Sequence, residues 1–134
     1  MVYAKVVGGP FLHNNRKRPH KAPKHPEFDL QAACVYWFRK NYRNCLIWST
    51  PNEAAATKAA HFRKLGMLAG VSDTVIAMPG RILFVEFKAL DGKQSREQKA
   101  FERKIRRLGF EYYIVKTEQQ FKNIVKGNVE ENKE

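Results

Sequence analysis

The sequence predicts an α/β sandwich, a central mixed four-stranded sheet flanked by helices in the order α-β-α-β-β-α-β-α. Three observations predict it. Helix-period and strand-like segments alternate along the chain. Two neighbouring strand segments carry apolar residues at both parities, which calls for cover on both faces of the sheet. At 134 residues and 43% hydrophobic content, the chain has room for one domain with a true core.

Residues 1–26 hold no acid, and "HNNRKRPHKAPKHP" packs five Arg or Lys, three His and three Pro into fourteen positions. Such a segment has little apolar area to bury, so it reads as a basic N-terminal arm. Its three histidines match no standard metal spacing. From Glu27 to Arg43 the chain reads as a helix entered through Pro26, with Glu27, Gln31, Cys34 and Phe38 on one stripe. "CLIWST" is a strand and "PNE" a turn. "EAAATKAAHFRKLG" is a second helix ending at Gly66. "DTVIAM" and "RILFVEFKA" form a hairpin across Pro79-Gly80. A third helix starts at Ser95, with Gln98 in capping-box position and Phe101, Ile105 and Leu108 on the same face. "FEYYIVK" is the fourth strand, and a short helix capped by Thr117 completes a folded domain over 27–126. The tail 127–134 is polar. Tyr36, Trp37 and Trp48 are assigned to the core, with a subunit interface as the competing role.

Charge narrows the function. Lys plus Arg number 25 against 13 acids, a formal +12, which calls for a polyanionic partner and most simply nucleic acid. No long apolar segment argues for a membrane. Cys34 and Cys45 lack metal spacing and read as buried thiols suited to a reducing cytoplasm.

The strand 81–89 poses the chemical question. Alternation puts Ile82, Phe84, Glu86 and Lys88 on one side of an otherwise apolar strand. Buried charge must be paired, neutralised or bound to a metal. A Glu86–Lys88 ion pair at a strand end is one answer. The other is a site for a hard cation, because Asp73 opens the neighbouring strand and Gln98 and Glu27 bring further polar groups on separate helices. Gln98 also has a purely local role open to it, bonding the backbone of Ser95.

"GVSD…VEFK…SREQ" resembles the PD-(D/E)XK nuclease superfamily, and its VRR-NUC branch in particular. The features that carry the resemblance are Glu27 and Gln31 on one helix, Pro51-Asn52-Glu53, Gly66 with Gly70 and Asp73, Glu86 with Lys88, and Ser95 with Gln98. They span Glu27 to about Lys116. Ser72 stands where the superfamily name has proline, a residue that shapes the turn.

The resemblance implies a restriction-endonuclease-like sandwich that hydrolyses DNA phosphodiesters with Mg²⁺ or Mn²⁺. Asp73 and Glu86 would ligate the metal, joined by the Phe87 carbonyl and by Glu27. Lys88 would orient the attacking water, while Gln98 and Gln31 would fix the phosphate or the lysine. Phosphate contacts are expected from Arg16, Lys17 and Arg18 of the arm, and from Ser95, Arg96, Lys99, Arg103, Arg106 and Arg107. Stand-alone members resemble small phage or bacterial enzymes that cut branched DNA such as Holliday junctions as homodimers, in the cytoplasm of a bacterial cell or phage-infected host. Two other outcomes stay open: a non-catalytic basic DNA-binding protein, and a flap or restriction-type nuclease on the same fold.

Overall fold

A computed structural model describes residues 24–50 and 59–128. The arm residues Arg16, Lys17 and Arg18, the Pro51-Asn52-Glu53 turn, the start of the second helix and the end of the tail lie outside the described residues. The elements are α1 (Pro26–Asn41), β1 (Leu46–Ser49), α2 (Ala59–Lys64), β2 (Thr74–Met78), β3 (Arg81–Phe87), α3 (Arg96–Arg107), β4 (Glu111–Val115) and α4 (Glu118–Val125). This is the expected order.

The sheet runs β1-β2-β3-β4, antiparallel through the first three strands and parallel between β3 and β4. Pro79 and Gly80 turn β2 into β3, with Gly80 at φ +68° in the left-handed position that glycine accepts without strain. A parallel partner needs a crossover, and α3 supplies it. The second helical pair of caps is as written in the sequence: Ser95 and Thr117 each accept from the backbone three residues on, and Gln98 and Gln120 reach back to complete a capping box.

Both faces of the sheet are covered, as two-parity strands require. On one face Leu83, Val85 and Phe87 of β3 and Ile76 of β2 pack with Cys34 and Phe38 of α1 and Phe121, Ile124 and Val125 of α4. On the other, Phe84 and Tyr112 meet Phe101 and Ile105 of α3. Arg81 ties the far end of the sheet together, donating to both oxygens of Glu111 and to the last carbonyls of α4.

Four expectations change. Tyr36 and Trp48 are not core: they are 69% and 44% exposed. Tyr36 lies on the side of α1 that faces a cleft beside the edge strand, and Trp48 stands on that strand. Trp37 packs edge-on against Phe121 at the core rim, 6.0 Å between ring centres. Leu108 is exposed because α3 ends at Arg107, leaving it as the C-cap. Cys34 is buried, but Cys45 is only half-buried.

Candidate active site

The strands β2 and β3 run in opposite directions, so the start of one lies beside the end of the other. Their ladder pairs Thr74 with Val85 and Val75 with Phe84. Continued one residue, the same register sets Asp73 opposite Glu86. The Phe87 N–H donates to Asp73 Oδ2 at 2.7 Å, locking that approach. The charges of Asp73 and Glu86 are close enough to act on each other's ionisation.

Each neighbour of Asp73 is held. The Thr50 N–H donates to the Asp73 carbonyl at 2.9 Å, and the Thr50 hydroxyl donates to the Ser72 carbonyl. Ser72 is buried, and its hydroxyl donates to the Thr74 carbonyl at 3.0 Å. Hydrogen bonds from Thr50 and Ser72 thus fix the turn that leads into β2.

Glu86 is 1% exposed. Its Oε1 accepts from Gln98 Nε2 at 2.5 Å and lies 3.5 Å from Lys88 Nζ. Its Oε2 is buried with no hydrogen-bond partner. Gln98 makes the local bond, its Oε1 accepting the Ser95 N–H at 2.8 Å, and its Nε2 reaches Glu86 as well. The strand-end ion pair is therefore present, but it satisfies only one oxygen of the carboxylate.

Electrostatics follow from this crowding. Burial first, then the Asp73 charge, pushes the Glu86 carboxyl up from 4.5 to about 7, against the opposing pull of Lys88. Burial also raises Asp73, and the Phe87 N–H and Lys88 oppose it. Two neighbouring carboxyls resist ionising together, so they share a proton unless a cation lies between them. The donor set, two carboxylates with one bare oxygen, fits a hard divalent ion that keeps waters for its remaining positions.

Glu27 lies at the margin of this group. Its carboxylate accepts the Ala89 N–H at 3.4 Å, and its charge raises both Asp73 and Glu86. Among the described residues no three His, Cys, Asp or Glu side chains gather closely enough to hold a metal between them. The compact unit is Asp73, Glu86 and Lys88 with Gln98.

Two chains of solved structure set this geometry in context. A VRR_NUC domain protein superposes with a TM-score of 0.65 at 18% identity, covering 78% of this chain and 88% of its own. A VRR_NUC domain superposes at 0.57 and 17% identity, covering 78% and 98%. The chain has the VRR_NUC fold. No family model matches the sequence and no curated protein does, so the likeness lies in backbone architecture.

Within the VRR_NUC fold the other predicted residues scatter. Ser95 is the exposed cap of α3, and Arg96, Lys99 and Arg103 are exposed along that helix. Arg106 is occupied internally, donating to Glu102 Oε1 and to the Tyr112 carbonyl. Gln31 lines a cleft between α1 and β1. The Phe87 side chain is in the core, leaving only its backbone for the site. His61 is exposed and stacks edge-on with Phe62. Thr50 was missed by the sequence reading, and nothing in "WSTP" signals that its side chain spans to the Asp73 turn. Among the described residues no helix is long and apolar enough to cross a membrane.

Proposed function

We propose that this chain is a VRR-NUC nuclease of the PD-(D/E)XK type that hydrolyses DNA phosphodiesters with Mg²⁺ or Mn²⁺. The observation that carries this reading is Glu86: a buried carboxylate pressed against Asp73, with one oxygen lacking any donor. A structural ion pair has no use for that bare oxygen. Asp73 and Glu86 would hold the ion, with the Phe87 carbonyl and Glu27 as the further ligands we assign. When bound, the metal polarises the phosphate and lowers the pKa of its water. Gln98 orients Glu86 and stays within reach of a phosphate oxygen. Lys88 Nζ orients the attacking water and offsets charge that builds on the phosphate oxygens.

The substrate reading follows from charge. A +12 chain with basic residues exposed along α3 binds backbone phosphates, and Arg96, Lys99 and Arg103 with the basic arm are the contacts we assign. The selectivity we assign is for shape, on branched DNA such as a four-way junction. One chain brings one site, so paired nicks need a homodimer. Its two free thiols suit a reducing cytoplasm.

The test uses labelled junction, flap, splayed, duplex and single-stranded DNA with Mg²⁺, Mn²⁺ or EDTA, beside Asp73→Asn. Metal-dependent cutting should fall at least ~1000-fold in the variant, the scale of losing a metal-centred transition-state contact. Binding without cutting in any metal would leave a basic DNA-binding protein. Preference for flaps, or sequence-dependent cutting of plain duplex, would replace the junction reading and keep the chemistry.

A further inference from the structure

A concave surface outside the carboxylate group opens between a helix and the edge strand. It is a cleft of about 640 Å³ between α1 and β1, lined by Phe28, Gln31, Tyr36, Arg39, Trp48 and Ser49 among others. That volume is the size of a small-ligand site. Phe28 and Tyr36 are 72% and 69% exposed, so both rings that line the cleft have surface open to a ligand. Among the described residues its lining contains one cation, Arg39, and no acid.

Both walls lead to the site. On the helix wall, Phe28 follows Glu27, whose carboxylate holds the Ala89 N–H just past β3. On the strand wall, Ser49 precedes Thr50, which is bonded to the Asp73 carbonyl. From Phe28 to Tyr36 the helix rises about 12 Å, at 1.5 Å per residue. A strand advancing about 3.4 Å per nucleotide sets three or four nucleotides along that length.

We infer that this cleft receives unpaired bases of the DNA strand held at the carboxylates. The bases stack on Phe28 and Tyr36, and the Arg39 guanidinium meets their phosphates. Aromatic rings bind bases without regard to sequence, since every base has a π-face. The inference rests on the nuclease reading and sharpens it: the favoured substrate carries unpaired nucleotides next to the scissile bond, as a frayed branch point does. A second copy of the chain is the other candidate occupant. It would bring a second +12 and, about a two-fold axis, a second Arg39 into the same cleft. DNA is the complement that the charge favours.

The experiment is binding in EDTA, so that no result depends on cutting. A hairpin duplex is prepared blunt or with a four-nucleotide single-stranded extension containing 2-aminopurine. Binding of the full chain should quench the 2-aminopurine. The Phe28→Ala, Tyr36→Ala double variant should bind the extended hairpin about 10- to 100-fold more weakly, and Tyr36→Phe should retain affinity. The ratio of extended to blunt affinity should fall towards one in the double variant. Bright 2-aminopurine in the bound wild-type complex, or wild-type affinity in the double variant, overturns the inference. So does a dimer in sedimentation that the double variant turns into monomer, which would make the cleft a subunit interface. Absence of cutting in Mg²⁺ with these binding results intact would sink the nuclease reading and leave the cleft standing.

Discussion

Glu86 shows what one side chain can be made to carry. Its neighbours satisfy Oε1 and leave Oε2 bare, and burial raises its pKa from 4.5 to about 7. Between those values the metal-free folded chain holds a proton that the unfolded chain has released. The stability this group contributes is therefore fully present below pH 4.5 and is lost as pH rises through 7, by about 3 kcal/mol for a shift of this size. Asp73, also raised, acts in the same direction. Urea midpoints in EDTA at pH 5 and pH 8 should show this loss in the wild type and a much smaller one in Glu86→Gln. Equal losses would mean that Glu86 titrates as an ordinary carboxyl. The sequence made Glu86 and Lys88 legible, because charge in an apolar strand violates the pattern around it. It left Thr50 hidden, since a hydroxyl at a strand end has many uses and the bond to Ser72 spans twenty-two residues.

At the scale of the element, α3 aims the amide that holds Glu86. Its start is fixed twice: by the Ser95–Gln98 capping box and by backbone contact with Gly70. Gly70 has φ +79°, and a Cβ there would lie 2.3 Å from the Glu97 carbonyl carbon. No rotamer relieves a clash with backbone. Gly70→Ala should cost about 2 kcal/mol or more, read as a lowered denaturant midpoint, and should lower metal-dependent cutting by displacing Gln98. An unchanged midpoint would show that the α3 terminus can shift freely. The capping box was readable because its four residues are consecutive. The Gly70–Glu97 contact was not, because a glycine's empty space shows only once both backbones are placed. Tyr36 was misassigned for a related reason: a helix with apolar residues around most of its circumference does not reveal which arc meets the sheet.

For the whole molecule, charge sets the strength of DNA binding. Each neutralised phosphate contributes a log–log salt slope of about −0.9 on duplex DNA. Removing residues 1–23 takes away Arg16, Lys17, Arg18 and Lys21 of the arm's basic run. The slope should flatten by up to about 4, and Arg103→Glu should flatten it further by about 1. Slopes unchanged by truncation would place the contacts on the folded domain alone. Element order, the hairpin and both helix layers were legible from periodicity and turn residues, whereas the order of strands in the sheet was not read from them. The uncovered side of β1 was not, since a four-residue strand carries too short a pattern to separate edge from interior.

Asp73, Glu86 and Lys88 all belong to one hairpin, within residues 73–88, whereas β4 joins β3 only after the α3 crossover. Hairpin contacts are local in sequence and form early, while parallel pairing waits on the closure of a longer loop. The two acids therefore collide before Gln98 is in place to hold either of them. On that order of events docking of α3 is the later step, and it is the one that brings the Gln98 amide to Glu86.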